Sequence, residues 1–386
     1  MRAVFIKPVH HRRAGGRIRR RRRRALTMFQ IAPHTRLRRS PYFDATVAEG
    51  VTTFSTYNHM LMPMGYGDPE AEYWRILRGA SMWDVACERQ VQISGPDAAR
   101  LAQILVPRDL SRCDAGQGKY VAVCSHDGAL INDPILLKLD GDRFWLSIAD
   151  SDIFFWARAI AAERKLRAEV CDPGVSPLAV QGPKAEEVIV SVFGERARAL
   201  KYFHFMEARV ENIPLLLARS GWSKQGGFEL YLTDETKGVR LWNIIREAGR
   251  PWDIGPGNPN PCERIESGLL SWGGDTDAKT NPFEVRMEKY VDLHAPGEVV
   301  GISALRRIHS EGAKRRQLGV VLEGDSPAAN HPVWMDISRD GEKIGDMTNG
   351  VWSRRLKRMI GFALVKSDSA PGEKVSVRKD GKQIPG

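Results

Sequence analysis

Arg89-Gln-Val-Gln-Ile-Ser-Gly-Pro96 and Pro177-Leu-Ala-Val-Gln-Gly-Pro183 are two copies of one local pattern, their Gly-Pro pairs 87 residues apart. Polar and apolar residues alternate in the first as in a half-buried strand, and the second is a short apolar run. Each stops at Gly-Pro, and a helix-like stretch opens at once, Asp97 to Leu105 in one copy and Lys184 to Phe193 in the other. Both copies are expected to place Pro at the first helical position, where its missing N–H costs nothing. Two β-rich segments and a further helix follow each: Tyr120 to Cys124, Ile135 to Leu139 with Arg143 to Ile148, then Asp152 to Ala162; and Ala208 to Ala218, Gly227 to Leu232, then Val239 to Ala248. The order strand, helix, strand, strand, helix predicts an α+β fold made of two related, ferredoxin-like units with antiparallel sheets. Ligand sites tend to form between such units.

Further helices are expected at Glu263 to Leu270, Pro282 to Tyr290 and Ile302 to His309. From Gln317 onward the pattern turns to short strands: Leu318 to Leu322, Val333 to Ile337, Lys343 to Met347, Ile360 to Val365 and Lys374 to Val377, with turns at Asp340-Gly341 and Asp380-Gly381. This predicts a small C-terminal β-barrel or sandwich. The chain then divides into 1–27, 28–310 and 311–386, with the last boundary near 310 to 317.

The 386 residues are 42% hydrophobic and 27% charged, which excludes wholesale disorder, collagen and a small disulfide scaffold. A formal charge of +11 suggests a nucleic-acid binder until its location is considered. Residues 1–27 hold eleven basic side chains, including the run Arg19 to Arg24, and no carboxylate; removing them from the 58 leaves 47 basic residues against 47 acidic. The body is formally neutral, so no nucleic-acid partner is expected for it. Three readings compete for the arm: a phosphate-binding or nuclear-targeting tail, an organellar presequence, and translated leader ahead of a start at Met28. No apolar stretch reaches the roughly 18 residues of a membrane span, which points to a cytoplasmic protein. Cys87, Cys113, Cys124, Cys171 and Cys262 lack metal or redox spacing and read as reduced thiols, mostly buried. His59, His126, His204, His294 and His331 are scattered, with no HExxH, so no metal site is expected.

Two segments carry candidate chemistry. In Ser220-Gly-Trp-Ser-Lys-Gln-Gly-Gly-Phe-Glu-Leu-Tyr231, an extended Phe228 to Leu232 puts Glu229 and Tyr231 on one face. Trp222, Lys224, Glu229 and Tyr231 could then line one cavity; the competing reading is a strand with a polar solvent face after a flexible turn. In Asp127-Gly-Ala-Leu-Ile-Asn-Asp-Pro134, Asn132 and Asp133 interrupt an apolar run, as a turn cap or as a ligand contact. Tyr57-Asn58-His59 and Tyr120 are aromatic residues in polar surroundings. Asp84 and Arg264 read as partners in structural ion pairs, although the Gly255-Pro-Gly257 loop could bring Arg264 to a cleft.

Trp83-Asp-Val85, Ser94-Gly-Pro-Asp97, Gly128 to Asp133, Val180-Gln-Gly-Pro183, Gly226-Gly-Phe-Glu229, Glu263 to Leu269 and Asn281-Pro-Phe-Glu284 together resemble the aminomethyltransferase family, the folate-dependent T-proteins of the glycine cleavage system, over about residues 40 to 380. T-proteins proper carry Tyr-Thr-Gly-Glu-x-Gly and Arg-Asp-Ser-Leu-Arg where this chain has Trp222-Ser-Lys-Gln-Gly-Gly227 and Cys262-Glu-Arg-Ile-Glu266. Those departures, with Tyr57-Asn-His-Met60, Cys87-Glu-Arg-Gln-Val-Gln92, Pro107-Arg-Asp-Leu110 and Leu146 to Asp152, resemble the dimethylsulfoniopropionate demethylase branch. The resemblance implies a three-domain cloverleaf with folate in its central hole, and methyl transfer from a sulfonium to tetrahydrofolate. It also leaves room for a homodimer.

In that frame Asp133 and Tyr231 are the expected catalytic residues, and Tyr57, Trp222 and Lys224 the expected substrate contacts, aromatic faces suiting a cation. Tyr120, Gln181, Glu229 and Arg264 are the expected folate contacts, Glu229 suiting the pterin's N–H donors. An N-methylated cation as donor, or folate binding without turnover, are the alternatives.

Overall fold

The structure is a computed structural model describing residues 34–323, 334–379 and 382–386; the basic arm, Met28, His331, Val333 and the Asp380-Gly381 turn lie outside the described residues. In the first unit, strands Glu169–Cys171, Gln90–Ser94, Arg143–Ser147, Ile135–Lys138 and Gln117–Tyr120 lie side by side in that order, every neighbour antiparallel. Helices Ala98–Leu105 and Ile153–Glu163 cover one face of this sheet. The second sheet runs Phe205–Val210, Ile213–Ala218, Gly227–Leu232, Ser176–Gln181, Ser81–Asp84 and Gly255–Gly257, with only the last pair parallel. Helices Ala185–Phe193 and Gly238–Ala248 cover it in the same way. The units are interleaved, because Ser81–Asp84 belongs to the second sheet yet precedes the first in sequence.

Alternation along the strands decides what lies between the sheets. Val91, Ile93, Phe144 and Leu146 pack under the helices of the first unit, and Phe228, Leu230 and Leu232 under those of the second. The intervening residues therefore face the other way. Leu137 and Trp145 from one sheet meet Phe205, Ala218 and Tyr231 from the other in a small apolar cluster. Gly118 N–H donating to Phe203 O at 2.7 Å joins the two sheet edges.

The C-terminal strands Arg315–Leu322, Arg358–Lys366, Glu342–Ser353, Met335–Arg339, Ser376–Lys379 and Lys382–Pro385 form a six-stranded half-barrel. Glu323 N–H donates to Pro385 O at 2.8 Å, joining its two edges. The half-barrel packs on the rest of the unit Arg36–Gly386 through Val351, Ile360 and Phe362 against Tyr73 and Ile265. Among the described residues no helix is long and apolar enough to cross a membrane.

The α+β reading and the two repeated units match the structure, and four local expectations need correction. Pro96 and Pro183 do not start their helices. Asp97 and Lys184 are the N-caps, and Ala98 N–H to Gly95 O (2.9 Å) and Ala185 N–H to Gly182 O (3.0 Å) close tight turns in which Pro holds the second position. Ala208 to Ala218 is a hairpin, turned at Glu211 with φ 52°. Pro282 to Tyr290 is not one helix: Arg286 sits at φ 61°, and only the 3₁₀ turn Glu288–Tyr290 is helical. The helix expected to reach Leu270 spans Pro261–Glu266. Gly268 ends it at φ 73°, with Gly268 N–H to Ile265 O (3.1 Å) and Leu269 N–H to Arg264 O (2.8 Å), the paired bonds of a Schellman stop.

Asp84, expected in an ion pair, has no cationic partner among the described residues. It accepts from Ser40 Oγ and Ala86 N–H while 3% exposed, and burial pushes its carboxyl up from 3.8 to about 7. The neutral form is therefore the stable one: its contribution is complete below the unfolded value and is lost as pH rises through about 7. Between about pH 5 and about pH 8, wild type should lose on the order of 2 kcal/mol relative to Asp84→Asn. Urea unfolding at both pH values reads this difference, and parallel curves for the two proteins would contradict it.

Candidate active site

Four backbone-pinned segments bring their polar side chains into the space between the sheets. Asn58 follows Tyr57 at the end of strand Thr53–Tyr57; its N–H donates to Asp150 Oδ1 (2.8 Å) and its amide to Cys87 O (3.0 Å). Asn132 donates to Ala149 O (3.0 Å) and Ser151 Oγ (2.7 Å) and accepts from Ala149 N–H (3.1 Å). The residues beside these anchors, Tyr57, Glu88 and Asp133, are thereby held around the same 149–151 turn. From the other sheet, Glu229 and Tyr231 occupy the face of strand Gly227–Leu232 opposite Phe228 and Leu230.

Glu88 and Asp133 lie just ahead of strands whose residues face this space. Glu88 precedes Gln90 and Gln92, which both look between the sheets: Gln90 donates to Ser147 Oγ (2.9 Å), and Gln92 accepts from Trp145 Nε1 (3.0 Å). Asp133 precedes Ile135 and Leu137, which face the same space. Three carboxyl groups, those of Glu88, Asp133 and Glu229, thus converge close enough for the charge on Glu88 to be disfavoured by the other two.

No Lys, Arg or His among the described residues forms an ion pair with any of the three. Burial raises the Glu88 carboxyl well above the ordinary range, with repulsion from Glu229 and Asp133 adding to it. Burial likewise lifts Glu229, against the hydrogen bonds it accepts from Ser220 Oγ and Tyr231 Oη, and pushes Asp133 up to about 7. Tyr120 Oη donates to Asp133 Oδ2 at 2.7 Å. Among the described residues, side-chain hydrogen bonds fall on Glu229 Oε2 and Asp133 Oδ2, and none falls on the Glu88 carboxyl.

Sequence-expected residues divide around this centre. Tyr57 lies near Glu88 and Asp133, which raise its phenol after burial does, and Tyr120 contacts Asp133 directly. Glu229 and Tyr231 share a face as expected, but that face is buried, at 5% and 0% exposure, so the solvent-face reading fails. Tyr231 is fully buried, and its Oη donates to Glu229 Oε2 at 3.1 Å. Gln181 is spent inside the protein: its amide N donates to Ser220 O (3.1 Å) and its oxygen accepts from Ser223 Oγ (2.8 Å). It thereby ties down the loop whose Gly221 and Gly227 leave no room for a Cβ against that amide.

That loop also separates the expected cavity wall. Lys224 has an exposed side chain, while its backbone N–H donates to Glu263 Oε1 (3.2 Å). Trp222 donates to Leu270 O (3.2 Å), with Arg264 5.9 Å from its ring centre. Arg264, expected to receive a ligand carboxylate, is buried in an ion pair with Asp275 (2.7 Å) and also donates to Leu269 O (3.0 Å). Its guanidinium is a structural link, as one of the two sequence readings had it.

Glu88 went unrecognised in sequence, as did Ser147, Tyr202 and Tyr290. Tyr202 is close enough to Glu229 for its phenol to be raised, and Tyr290 meets Tyr120 edge-on at 4.8 Å. The signal available for Glu88 was its place in a polar run, Glu88-Arg-Gln90, just ahead of a strand. A cavity of about 390 Å³, bordered by Leu130, Ile131, Trp156 and Trp272, is lined by none of the nine residues expected to contact substrate or folate or to act in catalysis. Among the described residues no group of three or more His, Cys, Asp or Glu is placed to hold a metal ion.

Comparison with known proteins follows the same geometry. Residues 42–295 match the GCVT N-terminal domain, and residues 315–386 the glycine cleavage T-protein C-terminal barrel domain. The chain is 37% identical over 351 residues to dimethylsulfoniopropionate demethylase DmdA of Ruegeria pomeroyi, covering 91% of this chain and 95% of that protein. An aminomethyltransferase of Rubrobacter xylanophilus is 31% identical over 353 residues, covering 89% and 91%. The crystal structure of aminomethyltransferase T from Bartonella henselae superposes with a TM-score of 0.79 at 20% identity, over 90% of this chain and 96% of that one, and shares the fold.

Removing the Tyr120 hydroxyl takes away the bond that favours ionised Asp133. Tyr120→Phe should therefore move the Asp133 titration upward from about 7, by on the order of one pH unit. Carboxyl ¹³C NMR of the two proteins checks this, and an unmoved or lowered midpoint would contradict it.

Proposed function

Because this chain belongs to the glycine cleavage T-protein family of folate-dependent transferases, we propose that it transfers a methyl group from dimethylsulfoniopropionate to tetrahydrofolate, giving methylmercaptopropionate and 5-methyltetrahydrofolate. The observation that carries this reading is three buried carboxyl groups with no opposing cation among the described residues. Such a space favours a positively charged donor and a partner rich in N–H groups.

The residues present fit a reduced pterin. Glu229 Oε1 is open and fixed by two hydrogen bonds on Oε2, so the carboxyl can meet two adjacent N–H donors without reorganising. Asp133 Oδ1 is also open, and with its midpoint at about 7 the carboxyl can take up a proton from the acceptor side at neutral pH. Tetrahydrofolate, when bound, supplies the nucleophilic nitrogen.

A sulfonium leaves as a neutral sulfide, so the protein's main task is to hold the donor in line and keep water out. Tyr57, beside Glu88 and Asp133, offers an aromatic surface for the cation, as Trp222 does in the same reading. The five free thiols support a reducing, cytoplasmic setting. The same reading treats 28–310 as the folate-handling part and 311–386 as its cover.

Incubation of the protein with tetrahydrofolate and each candidate donor, followed by mass spectrometry, tests the proposal. 5-Methyltetrahydrofolate should form from dimethylsulfoniopropionate and not from betaine or dimethylglycine; formation from an amine alone would overturn it. Glu229→Gln should weaken tetrahydrofolate binding by on the order of tenfold.

A further inference from the structure

We propose that Glu263 is a positioning residue for the methyl donor: by holding the chain at Lys224 and Gln225 it sets where the Lys224 ammonium meets the donor's carboxylate, and so selects a sulfonium that carries one. This inference rests on the demethylase reading and deepens it. That reading assigns Trp222 and Lys224 to the donor and leaves Glu263 without a role.

Glu263 is 0% exposed, and one of its oxygens takes every hydrogen bond given to the carboxyl. Oε1 accepts from Lys224 N–H at 3.2 Å, from Gln225 Nε2 at 2.9 Å and from Ser267 Oγ at 2.6 Å. Oε2 is buried with no partner among the described residues. A carboxyl kept in the interior with one oxygen unsatisfied is a cost to the fold, and an apolar side chain of similar size would avoid it. What the carboxyl supplies is the fastening made by Oε1.

Its place in the helix points the same way. Helix Pro261–Glu266 starts at Asn260, whose side chain accepts from Cys262 N–H and Glu263 N–H, both at 3.0 Å. A glutamate at the third helical position ordinarily reaches back to the N–H of the capping residue. Here the carboxyl reaches instead to a loop 39 and 38 residues earlier in the chain.

That loop has other ties, and they lie on either side of this one. Gln181 holds Ser220 O at 3.1 Å and Ser223 Oγ at 2.8 Å, and Gly182 N–H donates to Gly226 O at 2.9 Å. Lys224 and Gln225 lie between them, and Glu263 is what joins these two residues to a distant part of the chain. From the same helix Arg264 stands 5.9 Å from the Trp222 ring centre, and Trp222 Nε1 donates to Leu270 O at 3.2 Å. One short helix and the turn after it therefore hold both expected donor contacts.

Charge assigns the ends of the donor. Arg264 is committed to Asp275 at 2.7 Å, whereas Lys224 is exposed and makes no ion pair among the described residues. Lys224 is thus the cation of this pair left to receive a carboxylate. An exposed lysine on a mobile loop holds an anion weakly, and fixing its backbone in advance reduces the ordering that binding requires. The sulfonium end is recognised by aromatic surfaces, so the Glu263 contact acts on the carboxylate end.

Steady-state methyl transfer to tetrahydrofolate compares dimethylsulfoniopropionate with dimethyl(propyl)sulfonium, in which a methyl replaces the carboxylate. Glu263→Leu should raise KM for the first on the order of tenfold, with kcat and the KM for the second each within about twofold of wild type. Glu263→Gln keeps an oxygen acceptor and should stay within about threefold of wild type for both donors. Lys224→Gln should reproduce the Glu263→Leu pattern, and the double variant should lose no more than either single one. Equal KM losses for the two sulfoniums, or additive losses in the double variant, would overturn the inference and leave the demethylase reading intact. If Glu263→Leu does not fold, hydrogen exchange in wild type decides. The Lys224 amide should exchange at least about tenfold more slowly than in an unstructured peptide of the same sequence, and an unprotected amide would overturn the contact. No 5-methyltetrahydrofolate from either sulfonium with wild type would remove the demethylase reading and this donor role with it, whatever the Lys224 amide shows.

Discussion

Burying a carboxyl group without a counter-charge costs enough that proteins normally pair it, expose it or protonate it. Here three such groups, Glu229 on a strand and Glu88 and Asp133 in the segments before two others, lie near one another without a cation among the described residues. Burial pushes all three toward the protonated form.

The scaffold meets that demand with backbone anchors more than with side-chain contacts. Asn58 and Asn132 are short amides that bind carbonyls in the 149–151 turn and at Cys87, holding Tyr57, Glu88 and Asp133 in place without adding charge. On the opposite sheet Gln181 restrains the Ser220–Gly227 loop, and Ser220 together with Tyr231 fixes Glu229. Helices cover the outer faces of both sheets, so apolar residues at alternate positions exclude water behind each carboxyl. The Arg264–Asp275 pair, with Thr348 Oγ1 also donating to Asp275 at 3.0 Å, connects this assembly to the half-barrel.

The repeat at Gly95-Pro96 and Gly182-Pro183 made the paired α+β units legible, because strand alternation and a tight turn are local signals. Alternation also placed Glu229 beside Tyr231 correctly. What it could not supply was which of two faces was dry, since that depends on a sheet assembled from residues more than a hundred positions apart. Lys224 and Gln181 show the same limit: polar side chains next to glycines read equally well as ligand contacts and as loop restraints. Glu88 was hidden for the opposite reason, as one acid in a mixed polar run whose partners at 133 and 229 no local pattern connects to it. Helix ends misread at Leu270 and Pro282 were decided by left-handed residues, Gly268 and Arg286, of which only the glycine is visible as a stop.

The account stands on protons residing in this cluster at neutral pH. Neutron diffraction from deuterium-exchanged crystals near pH 7, grown without donor, observes them directly. The upward shift that burial gives all three groups predicts deuterium on at least one carboxyl oxygen among Glu88, Asp133 and Glu229, with no cation bound between them. Three bare carboxylates, or a cationic side chain or metal ion bridging them, would contradict it.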